Sequence, residues 1–457
     1  MAIRVSWFSE EIPIIQQPAT TCWAWSIRPL IIWLRIIGVD LPDTSTPSTQ
    51  RNRWHISVYR AFCFLLHASC QINILRYLFN TGLQVFLYQT DDLGFGTTTA
   101  NWNWIIDFTN YTIHGVGIHL VLLTVIRFQW IDTMEIFQRL NAIFTEENYI
   151  GIRKISYWGV IYVIVLVRTI WEVNNFISTI RFCSIQISTL LAASTDYALP
   201  SGTSVSHSVF IKMTAVLSIT YPLTAIVIFA IHCYASSLAF EEIRKEIKRY
   251  EIELINGPNH DVSLLLSVFK QKHIIACDTV DSINNTFGWM LLFSMTFFFV
   301  VVINASYAVF GLPDHTTVAD ISFLAFALVH LPLICFAADH ISNKAENMIK
   351  ELMRLKFADE PLKGYELEVQ KASGCIQLNC ATKSAIFLFL SSFWQVEFLI
   401  VDMVETIPQI SAKDYFKVNK RLFPQVIGTT LTYFFILHQF KASEKKLDPE
   451  DDESYYK

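Results

Sequence analysis

Few charged side chains are available to this chain. They make up 16% of its 457 residues, where a soluble domain carries about a quarter, so most of its surface is not built for water. The net charge is only −5, too small in either direction for a nucleic-acid partner or an acidic interaction tail. The first twenty residues, MAIRVSWFSEEIPIIQQPAT, have no basic start and no continuous apolar core. They do not read as a secretory leader, and the first true span is expected to insert itself.

Nine cysteines are present, but not a disulfide framework. Cys63, Cys70, Cys233 and Cys335 lie inside hydrophobic runs. Cys22, Cys277, Cys375 and Cys380 fall in segments assigned below to the cytosol, where thiols stay reduced. That leaves Cys183 without an outer partner. The Cys375/Cys380 spacing is not that of a zinc site, and His114 and His119 are five apart with no carboxylate at motif spacing. No metal, no cofactor and no enzyme activity is expected.

What the chain does have is apolar length. Hydrophobic residues reach 53% and mean hydropathy is +0.38, with 35 Phe, 12 Trp and 17 Tyr. That composition suits lipid-facing helices with aromatic belts at the interfaces. The fold class read from it is an all-α polytopic membrane protein. A spanning helix needs about twenty mostly apolar residues, and seven candidates fit: 56–80, 104–127, 156–180, 209–239, 287–310, 319–338 and 422–440. An earlier stretch, CWAWSIRPLIIWLRIIGV at 22–39, contains Arg28, Pro29 and Arg35. It reads as an interfacial helix rather than a span.

Basic residues near spans stay on the cytosolic side. Lys and Arg number five in 1–54, four in 127–154, six in 241–278 and eleven in 341–421. The alternate segments hold none in 81–103, only Arg181 in 181–208, and none in 311–318. A ratio of 26 to 1 puts the amino terminus inside, and seven spans put the carboxyl tail outside. The tail's four lysines oppose this, although six acidic residues accompany them. Segment 240–286 begins with charges at i,i+4 spacing, such as Glu241 with Lys245, and has a break at Gly257-Pro258. Segment 341–357 places Ile341, Met348, Leu352 and Leu355 towards one helical face. These segments form either a packed bundle below the membrane or solvated connecting helices.

The last hydrophobic segment reads RLFPQVIGTTLTYFFILHQFKAS. Thr432-Tyr433, five residues, then Gln439-Phe440 resemble the TY-x5-QF motif of insect gustatory receptors. Ile410-Ser411-Ala412, Tyr415-Phe416, Asn419, Arg421 and Gly428 are similar to that family's lead into its last helix. SIRPLIIWLRIIGVDLP near the amino terminus and KHIIACDTVDSINNTFG from Lys272 to Gly288 also resemble it. One stretch departs: Ala385–Val401 carries a single charge, Glu397. It is a buried or interfacial cytosolic helix, an eighth span or a splicing artefact.

The resemblance implies a multi-pass plasma-membrane receptor of sensory neurons, a ligand-gated cation channel of four like or related subunits, with the last helix lining the pore. It divides the chain into a cytosolic segment 1–54, a ligand-binding bundle 55–239, a cytosolic extension 240–286 and the fifth and sixth spans 287–338. Anchor helices at 339–421, a pore helix at 422–440 and an outer tail at 441–457 complete it. Ile436, Gln439 and Phe440 then sit at the neck. Phe440 excludes water there, and Gln439 supplies neutral dipoles. Ordinary helix–helix packing is the competing reading of the same polar residues.

For a ligand, Trp104, Asp107, Tyr111 and His114 are spaced 3, 4 and 3 on the second span, with Arg168, Glu172 and Asn175 on the third. Polar groups at membrane depth face protein or a watery cavity. These residues either line a cleft for a tastant (a sugar or a small bitter compound) or form an Arg168–Glu172 bridge beside an aromatic belt. The family's sugar-sensing members tend to carry Glu after TY, where this chain has Phe434.

A G-protein-coupled receptor has its amino terminus outside, and usually Asp-Arg-Tyr and Asn-Pro-x-x-Tyr motifs, none of which fits here. A transporter more often shows two related halves, and no internal repeat is evident. An epitope placed after Lys441 should therefore be reachable by antibody on intact cells, whereas one in 241–278 should need permeabilisation. The reverse pattern would overturn the orientation and promote Ala385–Val401 to a span.

Overall fold

The computed structural model describes residues 22–39, 121–191, 205–256, 262–306, 318–358 and 400–447, with isolated positions between 58 and 79. Among these residues the chain is helical apart from short turns and one antiparallel bridge, Ser411 to Lys417. The helices are α1 (Trp23–Ser26), α2 (Arg28–Ile36), α3 (Arg127–Gln138), α4 (Glu146–Leu191), α5 (Val205–Asn256), α6 (Val262–Ser306), α7 (Val318–Ala358) and α8 (Leu422–Leu447).

Helices α4 to α7 each hold a stretch long and apolar enough to cross a membrane. They are also longer than a crossing requires. The 52 residues of α5 make a rod of about 78 Å, against a hydrocarbon layer of about 30 Å. One end of the bundle therefore stands clear of the apolar zone. The expected spans at 56–80 and 104–127 lie almost wholly outside the described residues. In the first of them Val58, Leu65, Ile72 and Phe79 are helical, seven apart and more than half exposed, an apolar stripe turned away from the protein. The second ends in a π turn at Leu122–Ile126 that leads into α3.

The core is a seam between α5 and α7, which run in the same direction. Along α7, Leu331, Ile334, Ala338, Ile341, Ala345, Met348 and Leu352 are all fully buried and recur at intervals of three and four, the spacing that keeps one stripe on a partner helix. The α5 helix is buried on most sides, α6 runs antiparallel to it, and α4 covers it from outside. Gly159 permits that cover, because a Cβ there would lie 2.6 Å from Val227 Cγ1 of α5. Small residues let helix backbones close up in this way. On its far side α4 exposes Tyr157, Trp158, Ile164 and Val165.

Residues 22–39 fold as two short helices, too short to cross. Their buried stripe, Trp23, Ile27, Leu30 and Leu34, wedges against α3, α4 and α5. The Trp33 indole donates to Thr224 (3.1 Å), the Tyr221 hydroxyl donates to the Ile37 carbonyl (3.0 Å) and the Arg153 guanidinium lies 4.0 Å over the Trp25 ring.

At the end where the helices overshoot, packing continues through Ile243, Ile247, Met348 and Leu352, so these segments are a packed bundle. Glu351 of α7 gathers Arg244 (3.4 Å) and Lys248 (3.2 Å) from α5 and its neighbour Arg354 (3.4 Å). The pairing anticipated between Glu241 and Lys245 is not made. Glu241 takes Arg244 and, across the seam, Lys344 (3.1 Å), while Lys245 turns to Glu242 (2.6 Å). Two local i,i+3 pairs and one contact across the seam thus replace the i,i+4 pair, which is worth only about 0.3–0.5 kcal/mol.

Between α3 and α6 the contact is polar. Thr133 donates to the Gln129 carbonyl (2.8 Å) and accepts from the Thr286 and Ser282 hydroxyls (2.7 and 3.2 Å). Thr133→Val keeps the shape but strips both partners of a buried acceptor, at a cost of about 1–3 kcal/mol. The apparent unfolding temperature of the detergent-solubilised protein should fall by several degrees. An unchanged midpoint would mean that this cluster does not hold α3 to α6.

Candidate functional site

The last helix, α8, leaves the charged end of the bundle and runs along α6, with a smaller contact to α7. It is attached by Val426, Ile427, Thr430 and Phe434, which are buried or half-buried, and by Tyr433, whose ring meets Phe299 of α6 edge-on at 6.5 Å. The opposite side is bare. Gln425, Thr429, Thr432, Ile436 and Gln439 are all exposed and follow one another at intervals of four, three, four and three. That spacing is one helical stripe. The hydroxyls of Thr429, Thr430 and Thr432 donate to the carbonyls of Gln425, Val426 and Gly428 (2.9, 2.8 and 3.0 Å). The amides of Gln425 and Gln439 therefore carry most of the stripe's outward polarity.

The helix thus sorts the carboxyl-terminal motif into two sides. Thr432 and Gln439 belong to the bare stripe, and Tyr433, half exposed, meets α6 through the edge of its ring. The Phe440 backbone is helical, and its side chain lies outside the described residues, as do Trp104, Asp107, Tyr111 and His114. Glu172 is exposed on α4, and Asn175 is on the same helix with its side chain outside the described residues. Arg168 is also exposed, and no ion pair joins it to Glu172 among the described residues. The expected ligand residues are not brought together within the described part of the chain.

A polar bridge that the sequence reading did not single out lies deeper. The Tyr162 hydroxyl of α4 meets His330 Nε2 of α7 at 2.8 Å, and His330 Nδ1 meets the Phe326 carbonyl at 2.7 Å. With Nδ1–H donated to that carbonyl, Nε2 is the acceptor and Tyr162 the donor. The imidazole stacks on Phe326 at 4.1 Å, and Phe326 in turn meets Phe297 and Phe298 of α6. Elsewhere α4 and α7 make little contact among the described residues. The bond is therefore the main polar link between α4 and α7 among the described residues. A Tyr and a His inside apolar spans were the available signal, but nothing in their spacing pairs residues 168 positions apart.

Solved structures share this architecture, two of them of one receptor. The insect olfactory receptor OR5 from Machilis hrabei, in complex with eugenol, matches with a TM-score of 0.53 at 14% identity, over 91% of this chain and 97% of that one. This chain has the fold of an insect olfactory receptor. A second structure of the same receptor matches with a TM-score of 0.52 at 13% identity, over the same shares of both chains. No family model and no curated protein matches the sequence. The receptor fold is thus detected where sequence similarity is very low, as expected when an apolar pattern and a helix order are kept while individual residues change.

The Tyr162–His330 bond gives this receptor fold a measurable cross-link. In a double-mutant cycle on thermal unfolding, Tyr162→Phe and His330→Phe should show a coupling of about 1 kcal/mol. Additive effects would mean that α4 and α7 are held apart or together by their neighbours alone.

Proposed function

We propose that this chain is one subunit of a small-molecule-gated cation channel, a chemoreceptor of the gustatory kind, in which α8 of four subunits lines a shared pore. The observation that carries this reading is the bare stripe on α8. A helix with Gln425 and Gln439 turned away from its own subunit is costly beside lipid. Around a common axis the same stripe faces water and ions instead. Ile436 and Phe440 then form an apolar collar on either side of Gln439, which closes by excluding water, with the Gln439 amide as the nearest dipole. No carboxylate lies on the stripe, so selectivity among cations is weak.

The ligand is a tastant, a sugar or a bitter compound. The site proposed for it is an outward-opening cleft among the first four spans, with Trp104, Asp107, Tyr111 and His114 from the second span and Glu172 and Asn175 from α4. A small molecule is also what the Machilis receptor holds, in its case eugenol. Assignment to the gustatory kind rests on Thr432-Tyr433 and Gln439-Phe440. The charged bundle is cytosolic and the carboxyl tail extracellular, in the plasma membrane of a sensory neuron, with the subunits identical or related.

The test is expression alone in a heterologous cell, with a panel of sugars and bitter compounds and single-channel recording. Ile436→Ala and Phe440→Ala should each raise the current in the absence of any tastant, because the collar widens and wets. Gln439→Ala should change unitary conductance. If α8 merely packs against neighbours, all three variants will lower surface expression and leave conductance and the closed state unaltered.

A further inference from the structure

The root of α8 is a small hairpin at 410–418, held in a fixed register against α6. Ala412 N–H donates to the Phe416 carbonyl (2.9 Å), Val418 N–H to Ile410 (2.8 Å) and Tyr415 N–H to Ala412 (3.1 Å). Lys413 and Asp414 at the tip have φ of 49° and 62°, the left-handed region that residues with a Cβ avoid. The Asp414 carboxylate accepts from the Ser411 hydroxyl at 3.0 Å. Ile410, Ala412 and Val418 are buried beneath the turn. The unit is compact, and α8 begins four residues after Val418.

Helix α6 grips this hairpin at two points one turn apart. Asn284 Nδ2 donates to the Gln409 carbonyl (2.9 Å), and its Oδ1 accepts from Ser411 N–H (2.9 Å). A side-chain amide that both donates to and accepts from one strand fixes its register as well as its distance. At residue 288 the two backbones touch. A Cβ there would lie 3.1 Å from Lys413 N and 3.4 Å from Lys413 Cα, so only glycine seats the turn without moving it. Within the same two turns α6 is tied to α3 through Ser282, Thr286 and Thr133. The second tether of this region runs to α7, where Ser342 donates to the Pro408 carbonyl (3.0 Å) and Lys420 pairs with Asp339 (3.3 Å).

We infer that Asn284 and Gly288 form a rigid coupling through which the hairpin, and with it the start of α8, follows α6. They are positioning residues: displacement of α6 by the packed helices around it is delivered to the base of the pore helix rather than absorbed by a slack linker. The effect on current rests on the channel reading above. The clamp itself does not.

Two measurements on the full-length chain separate these. Hydrogen exchange on the purified protein reads the clamp directly. Asn284→Ala should speed exchange across 409–418 about tenfold, the loss of two hydrogen bonds. Asn284→Asp, which keeps the acceptor for Ser411 N–H and loses the donor to Gln409, should fall between. Arg139→Ala breaks only the exposed Arg139–Asp278 pair on the same stretch of α6 and should leave 409–418 unchanged. Recording then reads the coupling, with the most effective of sucrose, caffeine, quinine and eugenol as agonist. Asn284→Ala and Gly288→Ala should shift the dose–response by about threefold or more at unaltered unitary conductance, because the pore lining is untouched. Unchanged exchange in Asn284→Ala overturns the clamp whatever the currents show. Faster exchange with an unshifted dose–response overturns the coupling. A wild-type chain that reaches the surface and passes no current under any condition overturns the channel reading, and the exchange result still decides the clamp.

Discussion

The seam between α5 and α7 is the contact on which the rest of this protein is hung. It begins among apolar residues at Leu331 and Ile334, continues through Ala338, Ile341 and Ala345, and ends where Glu351 collects Arg244 and Lys248. One stripe therefore works in two solvents. In the apolar zone, close packing of small and branched side chains holds it, since lipid gives no hydrophobic drive between helices. Beyond that zone, burial from water and paired charge take over. Two helices joined over both regimes make a rigid post, against which α4 and α6 are laid, and α6 in turn carries α3 and α8.

The amino-terminal wedge shows how that post is braced. Trp23 reaches His232 of α5, and the same imidazole is ringed by Trp130 and Phe137 of α3 and Phe287 of α6, with centroids between 4.8 and 5.9 Å. Its Nδ1 is bonded to the Ile228 carbonyl at 2.8 Å. Four elements thus meet at one buried ring. Rings packed at these distances interact by edge and face and tolerate little displacement. The wedge is a structural member of the bundle rather than a loose leader.

Several polar groups in the apolar part of this molecule are satisfied inside it, while the Ser294 hydroxyl and His232 Nε2 are buried without a hydrogen-bond partner among the described residues. Thr224 donates to Thr220, Ser236 meets Thr279, and the Thr133 cluster is closed within itself. The stripe on α8 differs in exposure, since Gln425, Thr429, Thr432, Ile436 and Gln439 all lie on the outside of the described part of the subunit. That exposure, and not polarity as such, is what the proposed pore rests on.

The sequence by itself determined that this is an all-helical chain with several apolar spans and a charged end, because hydropathy over about twenty residues and the bias of Lys and Arg are local quantities. It also marked Thr432, Tyr433 and Gln439 on the last helix and placed Ile341, Met348 and Leu352 on a common face. Only the tertiary structure decided how these marks divide: Thr432 and Gln439 on the bare stripe, Tyr433 against Phe299. It also decided that Lys344 reaches Glu241 across the seam, and that Tyr162 finds His330. Asn284, within the KHIIACDTVDSINNTFG stretch, bonds Gln409 and Ser411. Each of these depends on which helix lies beside which, and how high. Periodicity gives a helix its faces, but the partner of a face is set by packing among all the helices at once.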